Sequence, residues 1–319
     1  MMRAVLLGTC GEPPAVGHRE RPVAGEDQVT VRVTAASITP LDVLCASGTS
    51  YFGTPATPYV PGVQGVGELE DGRAVWFATP AGMRPGDGSM AEYAVVRPAD
   101  TVALPEGVDH RLIAALGLSA VAAYQGLTAR GGLQPGDQVL VLGGGGVVGQ
   151  SAIQLARLGG ARRVIAACRT PSSRERAAAL GAAACVPSVG LDVDELAAEL
   201  KAAADGPIDL VLDPLFGVPA AAALRVLRPG GILVNLGGSA GPTATFDSAT
   251  LRSGSLNVLG YTNNDLTPDQ RARALGVIAD HVQAGRLTVD YEEVAFADVS
   301  DAWARQAAGQ AGRRIVLVP

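Results

Sequence analysis

The chain has 319 residues, of which 48% are hydrophobic and 18% charged, and its formal net charge at pH 7 is −6. This length allows two domains with substantial cores, and the acidic balance argues against a general nucleic-acid-binding protein, which usually carries a basic surface. No apolar run approaches the roughly 20 residues that cross a bilayer, and the run from Ala4 to Leu7 is too short for a signal-peptide core. We therefore expect a cytoplasmic protein.

The first hundred residues are typical of a β-rich domain. Val29, Val31 and Val33 alternate with polar residues, which is the period-two pattern of a half-buried strand. Further strands are expected at 5–7, 63–69, 74–77 and 91–96, with Pro and Gly marking the turns between them. The pattern predicts a small, barrel-like β domain.

From about residue 110 onward, strands and helices alternate. A helix at 112–127 is followed by strand 139–142, helix 149–158, strand 163–167, helix 172–180, strand 208–212, helix 218–227 and strand 231–236. This alternation predicts an α/β domain with a parallel, doubly wound sheet. A strand at 256–261, a helix at 268–284 and a strand at 314–318 end the chain, and we expect the last part to return to the first domain.

Residues 139–149 read Val-Leu-Val-Leu-Gly-Gly-Gly-Gly-Val-Val-Gly and carry the most specific signal. The glycines fit G-x-G-x-x-G as Gly144, Gly146 and Gly149, between a predicted strand and a predicted helix. In that motif the first glycine permits the turn, the second lets the backbone approach a pyrophosphate, and the third lets the helix pack on the strand. The N–H groups at the helix start, including those of Val147 and Val148, would face the anion. The stretch therefore predicts dinucleotide binding, and the alternative is a glycine-rich turn of another α/β fold.

Several motifs together, in order along nearly the whole chain, resemble the medium-chain dehydrogenase/reductase superfamily, and within it the zinc-free quinone oxidoreductase (zeta-crystallin-like) branch. The matching segments are 35–42, 61–67, 88–93, 133–137, the glycine turn and 227–231. The resemblance implies a GroES-like β-barrel catalytic domain at 1–115 with a C-terminal return at 265–319. It also implies a Rossmann NADPH-binding domain, with a doubly wound parallel sheet, at 116–264.

The positions of the superfamily's catalytic zinc ligands carry other residues here. Its cysteine falls at Thr39, its Gly-His-Glu motif at Gly62-Val63-Gln64, and its third ligand near Leu116. None of these side chains binds zinc well, and no cysteine lies between Cys45 and Cys168, where a four-cysteine structural site would need them. We expect no zinc, and we expect His18, His110 and His281 to be surface residues. Cys10, Cys45, Cys168 and Cys185 form no C-x-x-C pair, which is typical of reduced thiols.

Alcohol oxidation needs a Lewis acid or a base to manage the hydroxyl proton, so a zinc-free enzyme is better suited to reducing an acceptor that is already electrophilic. The resemblance implies hydride transfer from NADPH to a quinone or an α,β-unsaturated carbonyl. An enoyl-thioester reductase is the nearest alternative. A non-catalytic NADPH-binding sensor or structural protein is the alternative of another class.

The end of the second Rossmann strand favours NADPH over NADH. An NAD enzyme usually places Asp or Glu about 20 residues after the glycine turn, whereas here Cys168 is followed by Arg169-Thr170-Pro171-Ser172-Ser173-Arg174. Guanidinium groups bind phosphate in a bidentate manner. We expect Arg169 to contact the 2′-phosphate with help from Ser172, Ser173 or Arg174, the alternative for Arg174 being a solvated charge.

Further site residues follow from the resemblance. Pro40 and Asp42 lie in the segment beside the nicotinamide, where Asp42 either orients the cofactor or caps a turn. Tyr51 is a candidate proton donor, the alternative being a pocket-lining or surface aromatic.

Backbone groups at Gly237, Gly238 and Ser239, which follow a late strand, and at Asp213-Pro214 are expected to contact the nicotinamide side. Asn263 and Asn264, after the strand at 256–261, are expected to close that end of the pocket. Arg313 and Arg314 are weaker candidates for the adenosine phosphate. The resemblance also implies a homodimer that pairs through the strand at 256–261, because an apolar edge strand needs covering.

Overall fold

A computed structural model describes all residues from Met1 to Pro319. The chain divides into two compact units, the first formed by Met1–Gly117 with Thr267–Pro319 and the second by Leu118–Leu266. Each boundary lies two residues after the position expected from the sequence.

The elements, in chain order, fall into three stretches. The first holds β1 Met2–Leu6, β2 Ala15–Arg19, β3 Val29–Ile38, α1 Pro40–Ala46, β4 Gln64–Leu69, β5 Ala74–Ala78, β6 Tyr93–Val96, β7 Thr101–Ala103 and α2 His110–Gln125. The second holds β8 Gln138–Leu142, α3 Val147–Leu158, β9 Arg163–Cys168, α4 Pro171–Ala179, β10 Ala184–Pro187, α5 Val193–Ala203, β11 Ile208–Asp213, α6 Gly217–Leu224, β12 Leu227–Asn235, α7 Ser248–Gly254 and β13 Asn257–Gly260. The last holds α8 Pro268–Gln283, β14 Tyr291–Ala295, α9 Val299–Ala307 and β15 Arg314–Val318.

The first unit is built on a mixed seven-stranded sheet with the order β14-β15-β3-β4-β5-β7, to which β6 adds by pairing with β3. The last strand, β15, pairs antiparallel with β3, so the end of the chain completes the sheet of the first unit. The alternating pattern at Val31 and Val33 predicts a strand with one buried face, and both side chains are buried in the core of this unit.

The second unit is a six-stranded, wholly parallel sheet with the order β10-β9-β8-β11-β12-β13. Its central strands are buried on both faces: every residue of β8 is buried, which explains the unbroken apolar run in the sequence. The sheet order reverses between β8 and β11, so the chain after β8 starts beside a crevice at the carboxyl ends of the strands. The two units together confirm the α/β fold class that the sequence predicts.

Several short elements are not expected from the sequence. These are β2, α1, β7, β10, α5, α7, β14 and α9. The expected helix at 218–227 is shorter in the structure, where α6 ends at Leu224 and β12 begins at Leu227. The strand expected at 91–96 starts later, at Tyr93.

The helical stretch from His110 to Arg130 is long and apolar enough, by length and composition, to cross a membrane, and 61% of its most apolar window is buried inside the protein. This corrects the expectation that no stretch approaches such a length. A buried core helix passes the same test, so the finding is weak evidence for a span.

Gly117 breaks α2 near its middle. Its backbone angles, φ 33° and ψ −130°, are not helical. An added Cβ there would lie 2.1 Å from the Gln64 side-chain oxygen. That side chain is fixed, because its amide nitrogen donates to Ser37 Oγ at 2.9 Å and to the Ala114 carbonyl at 3.2 Å. Only glycine therefore fits at this position.

We expect Gly117→Ala to lower the free energy of unfolding by about 2–4 kcal/mol, because it combines an unfavourable φ with a clash against a fixed side chain. The matched control is Gly276→Ala in α8, where an added Cβ meets nothing within 4 Å. There the substitution should raise stability by about 0.5–1 kcal/mol, since alanine favours helix over glycine. Chemical denaturation of both variants measures the difference, and a stability for Gly117→Ala equal to that of the parent protein would contradict the analysis.

Candidate functional site

The glycine turn joins β8 to α3, as the sequence predicts, but the first glycine acts differently. The left-handed residue that turns the chain is Gly143 (φ 68°), not Gly144. At Gly144 an added Cβ would lie 2.9 Å from Ala166 Cβ and 3.0 Å from Cys168 Sγ, so this glycine allows close packing on β9. The turning role assigned to Gly144 is therefore wrong.

The other two glycines differ sharply in their surroundings. A Cβ on Gly149 would lie 2.2 Å from the Gly143 carbonyl oxygen and 2.6 Å from Gly144 Cα, so only glycine lets α3 start so close to the turn. A Cβ on Gly146 would meet nothing closer than 3.7 Å. Packing within the protein explains Gly149 but gives no reason for glycine at Gly146, which is exposed.

Gly146 is the N-cap of α3, and it has no side chain that could accept a hydrogen bond from the first turn of the helix. The N–H groups of Val147, Val148 and Gly149, the first three residues of the helix, have no acceptor within the helix. They carry the positive end of the helix dipole, which attracts anions. Val147 is buried and Val148 half-buried, so the exposed Gly146 leaves this turn open.

The turn between β9 and α4 lies directly beside the glycine turn. An added Cβ on Gly145 would lie 2.6 Å from Ser173 Cβ. Ser173 is held in a capping box in which Thr170 N–H donates to Ser173 Oγ at 3.0 Å, and Ser173 Oγ donates to the Thr170 carbonyl at 2.8 Å. Its hydroxyl is therefore already used in the turn, while Arg169 and Ser172 are exposed next to it.

The position of the usual NAD-binding carboxylate holds a buried thiol. Cys168 ends β9 with 1% exposure. Burial raises the pKa of the Cys168 thiol to about 11, against smaller opposing effects of a hydrogen bond with Ser173 and the charge of Arg174. Arg174 also acts on the pKa of Cys185, so its guanidinium lies close to β9 and β10 at this end of the sheet.

On the other side of the glycine turn, a network of hydrogen bonds joins the ends of β11 and β12. Asp213 is fully buried, and its Oδ1 accepts from Leu215 N–H at 2.9 Å and Phe216 N–H at 2.8 Å. Asn235 Nδ2 donates to Asp213 Oδ2 at 3.0 Å and to the Gly237 carbonyl at 2.7 Å. Desolvation raises the pKa of Asp213, partly offset by these hydrogen bonds.

The residues predicted after β12 contact the loop after β11. Ser239 Oγ donates to the Pro214 carbonyl at 3.1 Å, and Gly237 is so close that an added Cβ would lie 3.2 Å from the same oxygen. Gly238 and Ser239 are exposed. Asn263 is instead occupied, because its Nδ2 donates to the Leu118 carbonyl at 2.8 Å and its Oδ1 accepts from the Tyr261 hydroxyl at 2.7 Å.

In the first unit, Asp42 takes the structural of its two expected roles. It is the third residue of α1, and its Oδ2 accepts from Thr39 N–H at 2.8 Å and Thr39 Oγ1–H at 2.6 Å. Its Oδ1 accepts from Gly62 N–H at 3.1 Å and Val63 N–H at 2.8 Å. Both carboxylate oxygens are thus used inside the protein, and the side chain is 2% exposed. The structure shows the capping role of Asp42, while the expected role in orienting the cofactor stays a prediction, which the enclosed carboxylate could serve only through the backbone that it holds.

Burial raises the pKa of Asp42, while its hydrogen bonds and the charge of Arg314 act in the opposite direction. Arg314 is itself buried, and its Nη1 donates to the Ile38 carbonyl at 2.9 Å. The weak expectation that Arg314 approaches an adenosine phosphate is therefore wrong. Arg313 forms an ion pair with Asp290, with Nε and Oδ2 3.3 Å apart.

Pro40 and Tyr51 are accessible in the same unit. Pro40 is exposed at the first position of α1. Tyr51 is 77% exposed, and its ring packs on Phe52 with centroids 4.2 Å apart. Partial desolvation raises the pKa of the Tyr51 hydroxyl, which keeps it protonated at neutral pH and able to donate.

The superfamily's zinc-ligand positions form part of the core. Thr39, Val63, Gln64 and Leu116 are at most 5% exposed, and Gln64 is held by Ser37, Ala114 and the indole of Trp76. No group of three or more His, Cys, Asp or Glu side chains comes together within residues 1–319. Of the histidines, His18 is exposed and the other two are half-buried, with His110 Nδ1 lying 2.9 Å from Thr34 Oγ1.

Comparisons with known proteins agree with this geometry. Residues 147–280 match the family model described as zinc-binding dehydrogenase. The quinone oxidoreductase from Thermus thermophilus, whose structures include a complex with NADPH, is 30% identical, with all of both chains covered and a TM-score of 0.81. The chain belongs to the medium-chain dehydrogenase/reductase superfamily, in its zinc-free quinone oxidoreductase branch.

Two further relatives carry names that differ from quinone oxidoreductase. The mitochondrial enoyl-[acyl-carrier-protein] reductase of Bos taurus is 28% identical over 307 residues, which cover 90% of this chain and 80% of that protein. A phenolphthiocerol/phthiocerol polyketide synthase of Mycobacterium tuberculosis is 30% identical over 314 residues. That match covers 92% of this chain, which spans only 14% of the synthase polypeptide. The full-length matches support an oxidoreductase of this superfamily.

The structure groups the predicted medium-chain reductase residues by unit. In the second unit, the glycine turn follows β8, Arg169 to Arg174 follow β9, and Gly237 to Ser239 follow β12, all at the carboxyl ends of the strands. Pro40, Asp42 and Tyr51 lie in the first. Sequence reasoning missed the side chains of Asp213 and Asn235, although an Asp that ends a buried strand and an Asn at the end of the next are a readable signal.

We expect the second and third glycines of the motif to respond differently to the same substitution. Gly149→Ala should lower the free energy of unfolding by about 1–3 kcal/mol, because its Cβ overlaps the backbone of the turn. Gly146→Ala, its matched control, should leave stability within about 0.5 kcal/mol of the parent protein, because its Cβ has room. Thermal and denaturant unfolding of both variants measure this, and an equal loss in the two would show that the turn is packed differently.

Proposed function

We propose that this protein is a zinc-independent, NADPH-dependent reductase that transfers a hydride to a quinone or an α,β-unsaturated carbonyl. The observation that carries the proposal is the turn at 143–149. Its helix start is brought close to β8 by Gly149, and it is left open at Gly146, where no contact within the protein requires glycine. A ligand's pyrophosphate that lies close to the protein backbone at this turn would explain that glycine.

The residues present fit a dinucleotide along this edge of the sheet. The pyrophosphate would be bound by the first-turn N–H groups of α3, Val147 to Gly149. The adenosine end would extend to the β9–α4 turn, whose Ser173 packs on Gly145. The nicotinamide end would extend to the loops after β11 and β12, since the Gly143 Cβ position lies 3.0 Å from the Leu215 side chain.

The choice of NADPH follows from charge at the end of β9. No carboxylate is present there to repel a 2′-phosphate, because Cys168 is a buried neutral thiol. Arg169 is exposed next to it, and Arg174 lies near Cys168 and Cys185. Arginine binds phosphate oxygens through parallel N–H donors, so Arg169 is the main contact that we propose and Arg174 the supporting one.

When bound, the nicotinamide supplies the hydride, and the protein binds and orients it. The acceptor must be electrophilic already, since the side chains at the superfamily's zinc positions, Thr39, Val63 and Leu116, are poor metal ligands. A quinone or an enone meets this need. The proton that completes the reduction would come from the exposed Tyr51 hydroxyl or from water.

The bovine enoyl reductase relative keeps an enoyl thioester as the second candidate acceptor. An α,β-unsaturated thioester has an electrophilic β-carbon like that of an enone, so the proposed hydride transfer applies to both acceptors. A non-catalytic NADPH-binding protein would use the same glycine turn, and turnover distinguishes it from an enzyme.

We also propose a homodimer. β13 is the outermost strand of the parallel sheet, paired only with β12, and Val258 on it is 37% exposed. An apolar edge of this kind is usually covered in the assembled protein, which supports pairing between two copies. The cytoplasmic location expected from the sequence stays a proposal as well.

The reaction is tested by a screen of acceptors with NADPH and with NADH. We expect oxidation of NADPH with 9,10-phenanthrenequinone, 1,4-benzoquinone or a 2-enal, and a kcat/KM about tenfold higher with NADPH than with NADH. Crotonyl-N-acetylcysteamine serves as the thioester acceptor, and metal analysis of the active protein should find less than stoichiometric zinc. Binding of NADPH without turnover of any acceptor would favour the sensor, and stoichiometric zinc would falsify the metal-free assignment.

Arg169→Asp tests the cofactor assignment. Replacing the guanidinium by a carboxylate should weaken NADPH binding about 10- to 100-fold, because a charge-assisted contact is lost and a repulsion added. NADH binding should change by about threefold at most. Arg252→Asp in α7 is the control, since it makes the same charge change on an exposed side chain outside the glycine turn. Fluorescence titration gives both dissociation constants, and unaltered NADPH affinity in Arg169→Asp would exclude the assignment.

A further inference from the structure

The loop after β11 has an unusual backbone. Phe216 has φ 59° and ψ −157°, a conformation that residues with a side chain rarely adopt, and Gly217 follows with φ 61°. Strained backbone of this kind persists only where the surroundings hold it, and it is concentrated at functional sites.

A buried carboxylate holds this loop. Asp213 Oδ1 accepts from both Leu215 N–H and Phe216 N–H, so one oxygen fixes the strained residue and the residue before it. Burying a carboxylate is costly unless it is well hydrogen-bonded. Asp213 is the last residue of β11 and is 0% exposed, so its carboxylate depends on these hydrogen bonds.

Asn235 ties the same carboxylate to the next strand. It stands opposite Asp213 in the parallel pairing of β11 and β12. Its Nδ2 donates to Asp213 Oδ2 at 3.0 Å, to the Asp213 carbonyl at 3.2 Å and to the Gly237 carbonyl at 2.7 Å. One amide nitrogen thus connects the end of β11 with the start of the loop after β12.

The two loops then contact each other directly, through backbone groups and the Ser239 hydroxyl. Ser239 donates to the Pro214 carbonyl from both its N–H and its hydroxyl, at 3.3 Å and 3.1 Å. Ala240 N–H donates to the Leu215 carbonyl at 2.8 Å. Residues 214–216 and 237–239 therefore form a single surface, and it begins beside Gly143, whose Cβ position lies 3.4 Å from Pro214 Cγ.

We propose that Asp213 and Asn235 are positioning residues that hold the loops 214–216 and 237–239 in the arrangement that receives the nicotinamide ring. The inference rests on the proposed function, because it assigns the ring end of the cofactor to these loops. Neither side chain needs to touch the cofactor, since both act through the backbone that they fix. Their loss should therefore affect the nicotinamide end of the cofactor and leave the adenosine and pyrophosphate end intact.

The test compares NADPH with 2′-phospho-ADP-ribose, which lacks only the nicotinamide ring. In Asp213→Asn, the side-chain N–H2 group of the new residue faces Asn235 Nδ2, which is also a donor. The hydrogen bond from Asn235 Nδ2 to the side chain at position 213 is therefore lost, and the one to the carbonyl of that residue remains. We expect the dissociation constant for NADPH to rise about tenfold. The constant for 2′-phospho-ADP-ribose should change by less than about twofold, which a general loss of structure would not produce.

Asp209→Asn is the matched control. Asp209 lies on the same strand, β11, at its opposite end, where it accepts from Gln138 N–H at 2.7 Å and Arg228 Nε at 2.6 Å. The same substitution there should alter neither dissociation constant by more than about twofold. If Asp213→Asn does not fold, Asn235→Ser removes the amide bonds and leaves the carboxylate on its two N–H groups, and the same two ligands are compared.

An equal loss of affinity for both ligands in Asp213→Asn, or an unchanged affinity for NADPH, would overturn the positioning role. Neither result would contradict the proposed cofactor. Failure of the parent protein to bind either ligand would overturn the proposed function, and the positioning role with it.

Discussion

The site depends on one close approach of the backbone to itself. A Cβ on Gly149 would lie 2.2 Å from the carbonyl oxygen of Gly143. The helix α3 can therefore begin beside β8 only because residue 149 is glycine. This approach points the free N–H groups of the first helical turn toward the carboxyl edge of the sheet. It also brings neighbouring structure to the same place, with Ser173 packed on Gly145 on one side and Leu215 beside Gly143 on the other. The candidate binding surface is thus continuous because the turn is tight.

Buried polar groups fix the backbone in each unit. In the first unit, Asp42 binds the N–H groups of Thr39, Gly62 and Val63, which lie in the segments where zinc-dependent members of the superfamily carry their ligands. In the second, Asp213 and Asn235 fix the loops at the ends of β11 and β12. Each carboxylate is enclosed and fully hydrogen-bonded, as a buried charge must be. Asp42 and Asp213 therefore shape the backbone without needing contact with a substrate.

The sequence predicts the parallel sheet well because its strands are buried on both faces. The run Val139 to Leu142 is apolar throughout for this reason, and its position agrees with β8. Short elements are harder to predict: α1 has seven residues and shows only the capping pattern of Thr39 and Asp42. The helix α5 is a readable element that the sequence-based prediction misses, since Asp192 and Glu195 form a capping box at its start.

Within the site, local signals can be read and distant partners cannot. Four successive glycines make the register of the turn ambiguous, so the motif alone points to Gly144 as the turning residue instead of Gly143. A capping role for Asp42 follows from its spacing to Thr39, whereas its bonds to Gly62 and Val63 and its proximity to Arg314 depend on strand pairing. The pairing of Asp213 with Asn235 likewise depends on the register between β11 and β12.

The structure of this protein determined in complex with NADPH tests the central claim most directly. The account predicts pyrophosphate oxygens within hydrogen-bonding distance of the N–H groups of Val147 and Val148, with the 2′-phosphate beside Arg169. A nucleotide bound elsewhere, or a first turn of α3 that contacts only water at saturating NADPH, would contradict it.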